Sequence, residues 1–326
     1  MKQLPINSAQ RGITLIEIMI AMVIGLFLMG GVMQIFLSSQ QTYKMQDNLS
    51  RMQENGRFAV EFISRDIRMA GYWGCLKTVT NIKSMLKNDA TFDSFKESIN
   101  GADNDSTNSN IIDGTDSLIL KGVLSSNISL TSMLDSLNDP SVNIENNSNL
   151  QKGEIVLMSD CAMGDVFQIT NSPSTELRHQ TGGSLLPGNQ HDKFQKIYGL
   201  DAYIYKFNSY TYFIKQNAAN NGSALFRTAN GGADQELVDG IENLQILYGA
   251  DTDGDNTPNY YVPAGTVGLK MSNVISVRIT LLVVSPDDNL TSKPIVYTYN
   301  GSDVTPTDNR LRKVFSATVA VRNRLP

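Results

Sequence analysis

The sequence is poor in the side chains that most enzymes work with. Its 326 residues include two histidines, His179 and His191, and two cysteines, Cys75 and Cys161. Neither histidine has a second nitrogen or sulfur ligand near it in sequence, so no zinc site is spelled out, and both read as solvated loop residues. Ser84-Met85-Leu86-Lys87 matches S-x-x-K, but the S-D-N and K-T-G strings that belong with that pattern are missing. G-x-S-x-G, P-loop, H-E-x-x-H and dinucleotide-binding signatures are absent as well. A non-enzyme is expected.

Positive charge is also in short supply. There are 27 Lys and Arg against 32 Asp and Glu, a net charge of −5 and a pI near 5.1. Nucleic-acid binding works by neutralising phosphates, so an acidic chain is a poor candidate for it and only a local patch would serve. Basic residues do gather near the C-terminus as Arg310, Arg312, Lys313, Arg322 and Arg324; they read as solubilising charges on an edge strand, the alternative being an edge that meets an acidic partner subunit or DNA. Proline is missing from residues 13–70, and no internal repeat is visible.

What the chain has is one long apolar run. Residues 11–37 read RGITLIEIMIAMVIGLFLMGGVMQIFL, and beyond Arg11 the only charge is Glu17. About twenty-five such residues, as helix, cross a hydrocarbon core of roughly 30 Å. A carboxylate held there costs about 2.5 to 3.5 kcal/mol at the centre and less toward the interface, so it usually marks a partner. A secretory signal would have a shorter core and a small-residue cleavage site. A plain single-pass anchor accounts for the length and leaves Glu17 unexplained.

The string Gly12-Ile13-Thr14-Leu15-Ile16-Glu17 resembles the class III signal of type IV prepilins and type II secretion pseudopilins, with Ile13 where phenylalanine is commonest. The resemblance implies cleavage by prepilin peptidase between Gly12 and Ile13 and methylation of the new amino terminus. It also implies that Glu17 of one subunit neutralises the Ile13 amine of its neighbour inside the membrane, where neither charge is comfortable alone. Loss of Lys2 and Arg11 with the leader, which holds no acid, would take the net charge to −7.

Past residue 37 the polarity changes while the period persists. Met45, Leu49, Met52, Gly56, Ala59, Ile63, Ile67 and Ala70 recur at steps of three and four, one apolar face of a helix. Arg57 and Glu61 are spaced for an i,i+4 pair on the wet side. One helix from Ile13 to Gly71 would be about 85 to 90 Å long. Gly25, Gly30 and Gly31 interrupt its apolar half, either for close helix approach or because glycine is common in membrane helices. The segment Asn55 to Cys75, NGRFAVEFISRDIRMAGYWGC, is similar to PilW-type minor pilins, as are GEIVLMSDC, ILYGADTDGD and the terminal VFSATVAVRN.

The resulting expectation is an α+β, pilin-like chain. Residues 1–12 form a leader, 13–37 the transmembrane half of the helix, 38–71 its amphipathic half, and 72–326 one periplasmic β-rich head. Strands are expected at 117–121, 154–158, 166–170, 224–228, 244–248, 274–284 and 314–322, with Phe315, Ala317, Val319 and Val321 on one face. Residues 202–207 and 210–214 flank Asn208-Ser209 as a hairpin, and the Asn-rich stretches 88–110 and 138–149 read as loops.

In an exported head Cys75 and Cys161 are expected to close a disulfide, limiting the unfolded chain by about 4 to 5 kcal/mol; the alternative is two buried thiols. Asp251, Asp253 and Asp255 alternate on a Gly-containing loop that offers hard oxygen ligands for Ca²⁺ or forms a plain acidic turn. Asn256 and Val262 depart from the EF-hand pattern.

The resemblance implies a minor pilin of a priming or tip complex in the inner membrane. Its partners would be prepilin peptidase, other minor pilins and the major pilin, with the pilus extracellular after assembly. A J-type pseudopilin of type II secretion and a membrane-anchored periplasmic binding protein are the alternatives.

Overall fold

The computed structural model describes residues 13–76, 79–87, 97–106, 111–145, 150–182, 184–217 and 222–325. Leader residues 1–12, Gly12 included, lie outside the described residues, as do parts of the Asn-rich stretches.

One helix, α1, runs over Leu15–Met69 without a break. Thr14 opens it with a capping box: Thr14 Oγ1 accepts from the Glu17 amide at 3.3 Å, and the Thr14 amide donates to Glu17 Oε2 at 2.9 Å. At the other end the helix stops at Met69, two residues short of Gly71; Ala70 leaves helical geometry and Gly71 takes φ +75°. That left-handed turn suits glycine, which carries no Cβ.

Sixteen strands follow among the described residues. They are β1 Ile82–Ser84, β2 Ile99–Ala102, β3 Ser117–Ser129, β4 Ser141–Asn143, β5 Ile155–Ser159, β6 Gly164–Gln168, β7 Glu176–Arg178 and β8 Tyr203–Asn217. The rest are β9 Gly222–Ala229, β10 Gln235–Asp239, β11 Ile241–Ala250, β12 Tyr260–Val262, β13 Val274–Val284, β14 Tyr297–Tyr299, β15 Ser302–Val304 and β16 Arg312–Ala320. The first sheet has the order β1-β6-β5-β8-β3-β2, with β9 on β8 and β10 on β9; the second is β12-β11-β13-β16. Pairing is antiparallel except between β1 and β6. Two short pairs, β4-β7 and β14-β15, stand apart.

The expected hairpin around Asn208-Ser209 is a single continuous strand instead. On one side residues 203–212 of β8 pair with β3, across one irregularity between Leu124 and Ile128. On the other, residues 203–206 pair with β5 and residues 210–217 with β9. Asn208-Ser209 marks the change of partner rather than a turn. Asn230 fills the gap, its Oδ1 accepting from the Ser209 amide at 2.7 Å and its own amide donating to Ser209 O at 2.8 Å.

The main core lies where α1 meets both sheets. Met52, Ala59, Ile63 and Ile67 are buried against Tyr212, Ile214 and Leu225 of the first sheet and Ile246, Tyr248, Val277, Ile279 and Val319 of the second. Each large side chain buried there contributes about 1.5 to 3 kcal/mol. Asp116 ties the sheets together: its amide donates to Leu244 O at 2.9 Å, and its Oδ2 accepts from the Ile246 amide at 2.7 Å. Burial pushes its carboxyl up to about 6. A second cluster beneath the first sheet holds Met158, Phe167, Phe194 and Tyr198, and a third surrounds Trp73 and Phe207 near the helix exit.

Candidate functional site

The apolar N-terminal half of α1 stands clear of the head. Its most apolar stretch reaches a mean hydropathy of 2.4 with none of it buried inside the protein, and it is long and apolar enough to cross a bilayer. Glu17 sits on the first turn, its carboxylate also accepting from Thr14 Oγ1 at 3.0 Å. In the single chain this acid is satisfied by its own helix start. Ile13 stands two residues before the helix, 75% exposed.

The head grips the lower half of α1 through polar side chains as well as apolar ones. Asn48, rather than its apolar neighbour Leu49, occupies the buried face. Asn48 Nδ2 donates to Asp287 Oδ2 and Asn48 Oδ1 accepts from the Asp287 amide, both at 3.0 Å. Hydropathy spacing points to Leu49 because it cannot register a reciprocal amide–loop pair. Asn55 Nδ2 donates to Asp239 O at 3.0 Å. The Tyr212 hydroxyl donates to Asp66 Oδ2, with Arg227 at 3.4 Å from the same oxygen and its guanidinium over the Tyr210 ring. Asn323 Nδ2 lies 3.2 to 3.3 Å from the carbonyls of Arg68, Met69 and Ala70 and so closes the C-terminal end of the helix. The i,i+4 ion pair on α1 is Arg51 with Asp47 at 3.0 Å; Arg57 lies over the Phe58 ring instead of pairing with Glu61.

Beyond the helix the chain joins the first sheet. The Gly71 amide donates to Lys121 O at 2.9 Å and the Val123 amide to Tyr72 O at 2.8 Å. Cys75 and Cys161 are joined by a disulfide with Cα atoms 4.7 Å apart, tying this exit to the loop between β5 and β6.

Four side chains depart from their expected settings. His179 is not a solvated loop residue: it is fully buried, its ring centroid 4.5 Å from Phe194 and 5.1 Å from Phe167. Burial holds its imidazole below the ordinary histidine range, and Asp139 and Asp192 pull the other way without offsetting it. Lone imidazoles pack among aromatic rings readily, and nothing in the flanking sequence reveals this. His191 is half-buried. The basic C-terminal group is likewise not simply solvated. Arg312 makes a double clamp, Nε and Nη2 on Glu242 at 2.7 and 2.8 Å, Nη1 and Nη2 on Asp308 at 2.6 and 2.8 Å. Arg324 donates to the carbonyls of Met271 and Val274, and burial brings it down to about 10.

The carboxylates of Asp251, Asp253 and Asp255 converge to within 4.8 Å of one another. Asp251 Oδ1 accepts from the Gly254 amide at 2.7 Å and its Oδ2 from the Asn256 amide at 2.9 Å, which holds this acid below its ordinary range. Asn259 ties the loop from the other side, donating to Asp253 Oδ2 at 3.1 Å. The donor set suits a hard cation in oxygen type, but Asp251 already serves its own backbone and, among the described residues, three carboxylates meet. The cleft where helix and head separate, lined by Gln41, Lys44 and 287–290, is open to solvent.

Comparison with known proteins bears on this geometry. Residues 211–323 match the family described as type IV pilus-assembly protein W, and residues 7–33 match the prokaryotic N-terminal methylation motif. A solved structure of a type IV-like pilin from Thermus thermophilus aligns over 86% of this chain and 97% of its own, at 11% identity and a TM-score of 0.35. No curated protein matches. A methylation-motif match leading into one membrane-length helix, on a chain whose distal part is matched by a pilus-assembly family, supports a membrane-anchored pilin of the type IV class. The match over residues 211–323 supports the PilW type. Members of this family are structural proteins.

Proposed function

We propose that the chain is a minor pilin that takes part in type IV pilus assembly as a structural subunit of a priming or tip complex. Prepilin peptidase cuts between Gly12 and Ile13 and the new amine is methylated. The chain then waits in the inner membrane with its head in the periplasm. Assembly moves Glu17 from the Thr14 capping box to the Ile13 amine of an adjacent subunit, an exchange that is favourable where water is absent. Other minor pilins, the major pilin and the peptidase are the partners. The observation that carries this reading is the methylation-motif match over residues 7–33, which spans Gly12, Ile13 and Glu17 on a chain whose distal part matches a pilus-assembly family.

The test is intact mass of the protein isolated from membranes with and without the peptidase. Loss of residues 1–12 and gain of one methyl group, both dependent on the peptidase, is the expected result. An uncut chain overturns the reading in favour of a plain anchor. Glu17→Gln then separates cleavage from assembly. Processed protein should accumulate normally while piliation falls, and normal piliation would sink the pairing mechanism.

A further inference from the structure

β16 is the longest edge strand among the described residues, and its middle carries no guard of its own. Its inner side pairs with β13 through nine successive residues without a bulge, from Arg312 opposite Val284 to Ala320 opposite Ser276. The Val321 amide donates to Ile275 O and the Ser285 amide to Leu311 O, both at 2.8 Å. Odd-numbered residues therefore bond toward β13, while Val314, Ser316, Thr318 and Ala320 turn their N–H and C=O groups outward. All four are exposed. Proteins blunt such edges with proline, bulges, charges or short length. Between Lys313 and Arg322 none of these is present.

Two features define what would pair here. The edge is bracketed by exposed cations, Lys313 and Arg322, and no acidic residue follows Asp308, in a chain of net negative charge. A second copy does not fit. Phe315 packs beside Gly56 and Asn323 beside residues 68–70, so β16 runs along α1 in the same direction. Two copies joined edge to edge as antiparallel β16 strands would send their helices in opposite directions, whereas anchors in one membrane must enter it from the same side. Like charges at both ends oppose that pairing too.

We propose that the free edge of β16 receives an extended, acid-flanked segment from a different subunit of the same assembly, adding a fifth strand to the four-stranded second sheet. The proposal rests on the reading that this chain joins a multi-subunit pilus.

The test places a photo-cross-linking amino acid at Thr318 in the full-length chain in membranes, with the fully exposed Val267 as control position. The expected adduct from position 318 joins another pilus subunit through a segment with Asp or Glu at its flanks, and position 267 does not give it. Ser316→Pro removes an outward N–H, leaves the β13 ladder, and should weaken the adduct about tenfold. An adduct to a second copy, an adduct unchanged by Ser316→Pro, or no adduct in piliated cells would overturn the proposal. Where Ser316→Pro lowers protein level, the double charge reversal Lys313→Glu with Arg322→Glu decides in its place: an unchanged adduct sinks the idea. Failure of the underlying reading shows separately, as normal piliation when the whole chain is deleted.

Discussion

The ring of Phe315 stands where a side chain on Gly56 would be: a Cβ built at residue 56 falls 2.5 Å from Phe315 Cζ and 2.6 Å from its Cδ2. The first third of the chain and its last strand meet there with no space for a methyl group. In a solvent-exposed helix Gly→Ala gains about 1 kcal/mol. Here Gly56→Ala should instead cost about 1 to 2 kcal/mol, because the crowded ring has to move. Urea unfolding of Gly56→Ala, Phe315→Ala and the double variant tests this. The two losses should be clearly less than additive, and strict additivity would show that the two sites do not communicate.

His179 makes the head acid-sensitive. Its folded-state pKa lies below the unfolded value near 6.5, so the unfolded chain takes up a proton first as the pH drops. Stability from this group is whole above about pH 6.5 and declines below it. Asp116 works in the opposite sense: its carboxyl, raised to about 6, costs stability at neutral pH, and that cost fades as the pH falls toward 4. The wild-type curve carries both. The difference between wild type and His179→Phe in melting temperature from pH 7 to pH 5 isolates the histidine, and it should shift steadily against wild type on acidification. A constant difference would mean that His179 ionises as freely folded as unfolded.

Arg312 should prove the most sensitive of the basic C-terminal residues. Its side chain is 8% exposed while the partner acids Glu242 and Asp308 are about a quarter exposed. Removing it strands two carboxylates, and Arg312→Ala is expected to cost about 2 to 3 kcal/mol, below the range for a fully buried pair because both acids keep some water. Lysine cannot reproduce the two forks, so Arg312→Lys should recover less than half. Hydrogen bonding to Arg312 holds Asp308 below its ordinary value, so this stability is present above about pH 4 and fades below it. Urea midpoints at pH 7 and pH 3 report both effects. Arg310→Ala, at a half-buried site outside the clamp, should move the midpoint little.

The helix and the strand β13 were legible because each obeys one simple period over a long stretch. Val274–Val284 is a run of β-branched and aliphatic residues broken only by Ser276 and Arg278, with neither glycine nor proline, and its ends coincide with the expected ones. The long β8 reads as a hairpin in sequence because Asn-Ser is ordinary turn chemistry, whereas Asn230, more than twenty residues away, satisfies the backbone there as strand. The same reasoning covers Asn48, Asp66, Arg312, Arg324 and Asn323, which look like surface residues in sequence. Each gains its place from a partner distant in the chain, and hydropathy holds no trace of that partner. The motif residues Asn55, Gly56 and Asp66 make the point most clearly: all three hold the helix to the head.

Because one unbroken helix carries both Glu17 and Asn48, where the Asp287 loop grips it, the anchor and the head are geared together. Each residue turns a helix by about 100° and lifts it by about 1.5 Å. Under the proposed pairing of subunits, the compass direction of Glu17 fixes which flank of the head, and so which way the open side of β16, meets a neighbour. One residue added to the bare stretch between residues 38 and 47 would change the head's height hardly at all and its heading by more than a quarter turn. Seven added residues would restore the heading while raising the head by about 10 Å. Height and heading are thus written in the same ten residues, and only certain lengths of that neck keep both in step.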